Sequence, residues 1–228
     1  MTNQEFSNEF DILYNNISSN QAPGLDEYEK SVLLTDAQES LVLDMITGNN
    51  PTGDSFEKTE ELREYLTDLV KTARLSPIED KMTLKISDKS TMYNPPQDLW
   101  FIVYESVTLD ENELDCNTPD SIKVIPITHD EYSKIRNNPF RRPEKNRVLR
   151  LNISNKIELV SKYKINDYTI RYISRLEPII LIDLEDGLSI RGETKETNCK
   201  LNPALHEAIL ERAVQLAKVS MGLIETGR

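Results

Sequence analysis

The hydrophobic pattern changes its period twice along the chain, and this limits the fold more than any other feature. Up to Pro77, apolar residues recur every three to four positions, as on one face of a helix. Most later segments alternate with a period of two, which is typical of strands, and helical spacing returns near the end. The sequence therefore predicts an α+β protein. A helical bundle from both chain ends (1–77 and 193–228) would carry an inserted antiparallel β domain (78–192).

Three helices are predicted in the N-terminal region. The first has one apolar stripe, formed by Phe6, Phe10, Leu13, Tyr14 and Ile17. The second begins at Asp26, with Glu29 in position for a capping box, and ends at Gly48. The third follows Asp54-x-x-Glu57 and ends before Pro77. Its apolar residues are Leu62, Leu66, Leu69, Val70 and Ala73.

The middle region reads as consecutive strands with one short helix. The predicted strands are 82–86, 99–104, 121–125, 148–153, 157–164, 168–174 and 178–183. Residues 165–167 would form a hairpin turn between two of them. Thr128 and Glu131 form a capping box, which predicts the short helix 129–137. Since helices do not alternate with the strands, an antiparallel sheet or small sandwich is expected.

A last helix is predicted near the C-terminal end of the sequence. Asn202 is its N-cap, Pro203 takes the first helical position, and Gly222 is a suitable stop. Small residues on its apolar face allow close approach to another helix. The simplest arrangement packs this helix on the three N-terminal ones.

Charge is distributed unevenly over a chain whose formal net charge is −12. Residues 1–80 contain 17 acidic and 5 basic residues, whereas residues 134–150 contain 7 basic residues and 1 acidic residue. Opposite charges at different places on one chain favour head-to-tail association of copies. A solvated acidic helix face and an ordinary basic loop would give the same pattern.

Side chains that could perform catalysis are few and scattered. Neither His129 nor His206 has another histidine or a cysteine at metal-ligand spacing, and Cys116 and Cys199 form no C-x-x-C motif. No nucleotide-binding or nucleophile motif occurs. We therefore expect no catalytic residue, no metal and no cofactor.

One acidic group follows the last predicted strand and leaves an alternative open. Its members are Asp183, Glu185 and Asp186. They could hold a cation, or serve a hydrolase, but an acidic turn explains them equally well.

The cysteine usage and the N-terminal sequence suggest where the protein is made. Two distant cysteines fit a reducing compartment. Residues 1–10 lack the features of a signal peptide, and no apolar run has the length of a membrane span. We expect that the protein is made and kept in cytosol-like conditions, with no membrane partner.

The segment 138–143, Asn-Pro-Phe-Arg-Arg-Pro, is the candidate functional site. Two prolines stiffen the backbone around an aromatic side chain and two guanidinium groups, as an interface hot spot requires. The candidate interface residues are Phe140, Arg141, Arg142, Arg147 and Arg150. The same basic cluster, 134–150, could instead contact phosphate in a nucleic-acid-binding packaging or cargo factor. A proline-rich connection between the helix and the next strand is the third possibility.

Three stretches of the chain resemble a structural protein family of crAss-like phages that infect Bacteroidetes hosts. They are FSNEFDILYNNISSNQAPGLDEYEKSVLLTDAQ (6–38), PITHDEYSKIRNNPFRRPEKNRVLRL (126–151) and residues 171–222 with RYISRLEPIILIDL. They cover about half of the chain and are spread from end to end. One departure is Leu149, where an aromatic residue would be expected.

This resemblance implies a virion protein of the neck or tail, a head-to-tail connector. Such a protein would form a homo-oligomeric ring of about twelve copies. Its partners would be the portal protein, neighbouring neck and tail ring proteins, and DNA that passes without sequence-specific binding. The resemblance does not distinguish a portal adaptor from a lower ring.

Overall fold

The structure, a computed structural model, describes residues 1–15, 24–48, 59–78, 85–110 and 121–222. The chain divides into two compact units. The helical unit comprises Met1–Leu69 and Leu176–Arg228, and the sheet unit comprises Val70–Arg175. The α+β class and the helices at both chain ends are confirmed.

Three longer helices form the helical unit. They are α1 (Asn3–Asn15), α2 (Glu27–Thr47) and α5 (His206–Ser220), and α5 packs on both others. A short α3 (Glu60–Tyr65) and 3₁₀ turns at Thr67–Leu69 and Pro203–Leu205 complete the set. The buried core comes from one face of each long helix. It includes Phe6, Phe10, Tyr14, Leu34, Ala37, Val42, Ile209, Ala213 and Ala217.

The ends of α2 form as the sequence predicts. The Asp26 carboxylate accepts from the Glu29 backbone N–H at 2.7 Å, and the Glu29 carboxylate accepts from the Asp26 N–H at 3.1 Å. Gly48 ends the helix with φ 81°, a left-handed conformation that costs glycine little.

Replacing Asp26 by Ala should therefore lower the free energy of unfolding by about 1 kcal/mol. The alanine variant leaves the Glu29 N–H without its acceptor, whereas Asp26→Ser keeps an oxygen at the cap. Urea denaturation of the two variants checks this. Equal stabilities would contradict a capping role.

The prediction for the third helix is wrong in its C-terminal half. The helix ends at Tyr65, and Val70 and Ala73 lie in strand β1 (Val70–Leu75). There they pair with Ile173 and Ile170 of strand β8 (Ile165–Ser174). Pairing with β8 has outweighed the helical spacing of these apolar residues. Val70 is β-branched and therefore has a low helix propensity. Asp54 and Glu57, the expected start signal, lie outside the described residues.

Residues 178–183, which were predicted as a strand, form none. They belong to an irregular segment with a single bridge between Ile180 and Thr197.

The backbone of this segment is bound instead by polar side chains on one face of α2. Ser31 Oγ accepts from the Leu181 N–H at 3.0 Å, and Thr35 Oγ1 accepts from the Ile179 N–H at 3.0 Å. Gln38 donates to the Glu177 carbonyl at 2.8 Å. The segment thus satisfies its hydrogen bonds without a neighbouring strand.

His206, the first residue of α5, is buried rather than exposed. One ring nitrogen lies 3.1 Å from the Leu201 carbonyl oxygen and the other 2.7 Å from the Met1 nitrogen. The ring also contacts Phe6, with ring centroids 5.3 Å apart. Burial is the largest effect on its pKa, which lies below the usual value of 6.5.

Stability should therefore fall as the pH drops below about 6.5, because the unfolded chain takes up the proton first. His206→Gln should remove this part of the pH dependence. Denaturation of both proteins at pH 7.5 and 5.5 measures it. Identical pH slopes would contradict the buried neutral form of the histidine.

The sheet unit is a single curled sheet of eight strands. The remaining strands are β2 (Pro77–Ile78), β3 (Ser90–Tyr93), β4 (Leu99–Leu109), β5 (Ile122–Pro126), β6 (Val148–Ile153) and β7 (Lys156–Val160). Their order is β1-β8-β4-β5-β6-β7-β3-β2. Only Ser76 separates β1 from β2, which lie at opposite ends of this order, so the sheet curls until its edges approach. Accordingly, Tyr93 of β3 contacts Tyr168 of β8 at a ring-centroid distance of 5.0 Å.

Two details of the sheet differ from the prediction. The sheet is mixed, because β5 and β6 pair in parallel through the crossover that contains α4 (His129–Ile135). In addition, residues 165–167 form no hairpin turn, since β7 pairs with β3 and β6, and β8 pairs with β1 and β4. The tight hairpin joins β6 to β7 through Ser154 and Asn155, both with positive φ.

The other β-region predictions have mixed outcomes. The strands predicted at 99–104, 121–125 and 148–153 correspond to β4, β5 and β6, while β3 was missed. A strand was also predicted at 82–86. Lys85 and Ile86 lie outside any strand, and the other positions of this range are outside the described residues.

The crossover helix α4 forms through the predicted capping box of Thr128 and Glu131. Its Tyr132 and Ile135 pack on Leu149, Leu151 and Val160, on the outer face of β6 and β7. The chain then runs through the loop 138–147 into β6. The candidate site therefore lies on a connection that is anchored at both ends.

Candidate assembly interface

The loop 138–147 is held by its own hydrogen bonds. The Asn138 carbonyl accepts from the N–H groups of Arg141 at 3.1 Å and Arg142 at 2.9 Å. The Asn138 side chain accepts from the Phe140 N–H at 2.9 Å. The Arg147 guanidinium donates to the Phe140 carbonyl. This network fixes the loop before any partner binds, so little conformational entropy remains to be lost on docking.

Phe140 projects from this fixed loop into solvent. Its side chain is 85% exposed, the largest exposed fraction among the described large apolar residues. A phenylalanine on a preorganised loop gains nothing for the fold of its own chain. Its exposure is the observation that best supports an interface.

The two neighbouring arginines are exposed, and one of them joins a small ion-pair cluster. Arg142 Nε lies 3.0 Å from Glu144 Oε1, and Lys162 Nζ lies 3.1 Å from Glu144 Oε2. The hydrogen bond from Lys162 and the charge of Arg142 lower the pKa of Glu144. Among the described residues, Arg141 makes no ion pair, so its charge remains available to a partner.

Arg150 does not belong with the exposed residues of this group. Its side chain is 13% exposed, and Nε lies 2.9 Å from Glu105 Oε1. The other Glu105 oxygen accepts from the Tyr168 hydroxyl at 2.7 Å. Burial is the main effect on the pKa of Glu105 and raises it, whereas Arg150 works in the opposite direction. Arg150 therefore balances a buried charge within the sheet unit, and of the five predicted interface residues it is the one least able to contact a partner.

A cavity of about 350 Å³, which we call the apolar cavity, lies beside the loop. Its apolar lining comes from Ile125, Ile127, Ile135 and Leu149, and Arg141 and Arg147 form the basic part of the lining, which we call the arginine rim. Leu149 is thus the residue where the family resemblance suggested an aromatic side chain. The sequence analysis missed this cavity, although outward-facing Ile125 and Ile127 gave a usable signal.

A second cavity of about 300 Å³, lined by a different part of the loop, is basic. Lys89, Arg136, Arg142 and Lys162 line it, together with Glu144. Different residues of the loop thus line a largely apolar cavity and a cationic one. A partner that fits both must combine apolar and acidic groups.

The other candidate residues are not brought together. His129 Nε2 lies 3.1 Å from the Asn152 carbonyl, far along the chain from His206 in the helical unit.

The Asp183 carboxylate accepts from the Glu196 N–H at 2.8 Å. The Cys199 thiol lies 3.4 Å from Gln38 Oε1, and burial raises its pKa. Cys116 lies outside the described residues.

The described part of the chain shows neither a metal-ion site nor a helix suited to span a membrane. It contains no group of three His, Cys, Asp or Glu side chains placed to hold a metal ion. Within the same residues, no helix has both the length and the apolar character needed to cross a membrane.

The two units differ strongly in charge. The helical unit contains 24 acidic and 9 basic residues, which gives −15, and the sheet unit contains 15 acidic and 18 basic residues, which gives +3. Basic residues therefore outnumber acidic ones only in the sheet unit, where the loop lies.

A fixed loop with an exposed aromatic residue, on a sheet unit whose net charge is opposite to that of the helical unit, is typical of a structural assembly subunit. The chain belongs to the phage tail ring protein 3/4 family, whose sequence profile matches residues 1–227. The family resemblance drawn from the three stretches is confirmed.

Two relatives come from Bacteroides phage crAss001. Ring protein 3 of that phage is 49% identical over 224 residues, which cover 96% of each chain. Ring protein 4/5 is 36% identical over 230 residues, covering 96% of this chain and 93% of the other. The chain is thus a structural ring protein of a crAss-like phage virion.

Proposed function

We propose that this chain is a head-to-tail connector subunit, a portal adaptor or a neck or tail ring protein. About twelve copies would form a closed ring that joins the capsid portal to the tail and surrounds the DNA channel. Assembly of the virion would take place in the host cytoplasm. The observation that carries this proposal is Phe140, 85% exposed on a loop that is fixed from within.

The geometry of a ring requires two different surfaces on each subunit. In a closed ring every copy meets its two neighbours through unlike faces. The basic loop of the sheet unit is one such face, and the acidic helical unit offers a surface of opposite charge. This arrangement supports head-to-tail contacts between copies and agrees with a structural function without catalysis.

The charge of the helical unit also suits a surface that lines a DNA channel. A formal charge of −15 repels the phosphate backbone, so that DNA passes such a wall without adhering to it. This part of the proposal concerns the inner surface of the ring. It is independent of the loop contact.

Negative-stain imaging of purified protein, alone and mixed with its portal, tests the proposal. The expected result is a closed ring with rotational symmetry. Protein that stays monomeric in both samples, together with virions that assemble a complete neck without it, would contradict the proposal.

The exposed basic residues of 134–150 support a second candidate, a nucleic-acid-binding packaging or cargo factor. Lys134, Arg136, Arg141 and Lys145 are all exposed. This function predicts DNA affinity that falls steeply with salt and decreases in an Arg141→Glu, Arg142→Glu variant. The sheet unit as a whole carries only +3, which makes strong phosphate binding the weaker alternative.

A further inference from the structure

Helix α1 has one face that the described residues of its own unit leave exposed. Ile12 on this face is 58% exposed, the most exposed large apolar residue described in the helical unit. Glu9 and Glu5 precede it by three and seven positions and share its face. The helix contains no lysine or arginine. The face thus presents one apolar side chain within an acidic strip.

The apolar cavity of the sheet unit has the complementary character. Its lining is mainly aliphatic and includes the two arginines of the arginine rim. The one carboxylate that lines it belongs to Glu131, which accepts the Thr128 N–H at 3.3 Å in the capping box. An acidic helix with a protruding aliphatic residue therefore finds both an apolar site and opposite charge here.

We propose that the apolar cavity of one copy binds α1 of a second copy. Ile12 enters the cavity, Glu9 and Glu5 face the arginine rim, and Phe140 packs against the docked helix. Because α1 and the cavity are different surfaces, the contact is heterologous and can be repeated around a ring. This inference rests on the proposed ring function and names the faces that form it.

Two exposed apolar residues at the C-terminal end of α5 fit this cavity less well. Val219 of α5 and Met221, which caps the helix, are 40% and 38% exposed, but α5 also carries Arg212 and Lys218. A helix without bases suits an arginine rim better. We therefore assign α1, and not α5, to the apolar cavity.

A charge exchange between two full-length variants tests the contact. Glu9→Arg places like charges at every α1–cavity contact, and so does Arg141→Glu. Each variant alone should assemble about tenfold more weakly than the unmodified protein. In an equimolar mixture, alternating copies pair opposite charges at every contact, so assembly should return to within about threefold.

Matched controls separate this contact from a general effect of charge. Glu207→Arg reverses an exposed acid on α5, and Arg171→Glu reverses an exposed base on β8. Neither should weaken assembly, and their mixture should show no rescue. Unfolding midpoints of all variants show whether each protein remains folded.

Sedimentation analysis gives distinct answers for the contact and for the ring. Variants that assemble as well as the unmodified protein, or a mixture that does not recover, would overturn the α1 contact and leave the ring in place. Variants that form normal rings but lose binding to another neck protein would also overturn it. Unmodified protein that remains monomeric, alone and with the portal, would count against the proposed function itself.

Discussion

Replacing Arg150 by Met should lower the free energy of unfolding by about 3–5 kcal/mol. The guanidinium lies 2.9 Å from Glu105, whose side chain is only 7% exposed. Without it, the carboxyl group stays buried with one partner, the Tyr168 hydroxyl. Removing one member of a buried ion pair costs far more than the pair contributes, because the remaining charge is uncompensated.

The stability of the Arg150→Met variant should also depend on pH in a characteristic direction. The pKa of Glu105 is already raised by burial, and loss of Arg150 raises it further. The pKa of such a carboxyl group is higher in the folded chain than in the unfolded chain, where it is near 4.5. Its contribution to stability is therefore fully present below about pH 4.5 and is lost as the pH rises. The variant should therefore be closest to the unmodified protein in mild acid.

A double-mutant cycle decides whether the pair is coupled. The variant with both Arg150→Met and Glu105→Gln removes the two charges together, so it should recover much of the loss of Arg150→Met alone. Urea denaturation of the four proteins gives the coupling free energy. Additive effects would contradict the buried pair. Arg141→Met, at an exposed position, serves as control and should change stability by about 0.5 kcal/mol or less.

The second large effect concerns assembly and not folding. Replacing Phe140 by Ala should leave the free energy of unfolding within about 0.5 kcal/mol of the original value, because the phenyl side chain is exposed. Each contact between subunits should weaken by about 2 kcal/mol, or roughly thirtyfold. Since a closed ring repeats the contact at every subunit, ring formation should fail at concentrations where the unmodified protein assembles.

An aromatic residue elsewhere on the sheet unit provides the matched control. Tyr104 on β4 is 46% exposed, and Tyr104→Ala removes an aromatic side chain of similar size. Phe140→Trp should retain assembly, because an aromatic anchor remains on the same fixed loop. Light scattering against concentration measures all three variants. Equal assembly by Phe140→Ala and Tyr104→Ala would show that the loop contributes nothing specific.

Local signals predicted the parts of the fold that depend on local hydrogen bonds. The capping boxes at Asp26 and Thr128 and the stop at Gly48 involve neighbouring residues, so a single sequence contains all the information. The strand β1 is different. Val70 and Ala73 fit a helical pattern, and only their pairing with β8, about a hundred residues away, assigns them to the sheet.

Contacts between residues far apart in the sequence explain two other errors. The segment 178–183 has the composition of a buried strand, but α2 side chains bind its backbone. Arg150 looked like part of a basic surface because Glu105, which neutralises it, lies 45 positions earlier in the sequence. The exposed Phe140 and its stiff loop were predictable, since prolines and neighbouring polar groups define the loop locally.

A map of the virion neck and tail tests the central proposal most directly. The proposal predicts that this chain forms a closed ring there, with about twelve copies, and that the Phe140 loop of each copy contacts its neighbour. A map in which the chain is absent from the neck and tail would contradict it. So would a map in which the chain occurs as isolated copies with Phe140 facing solvent.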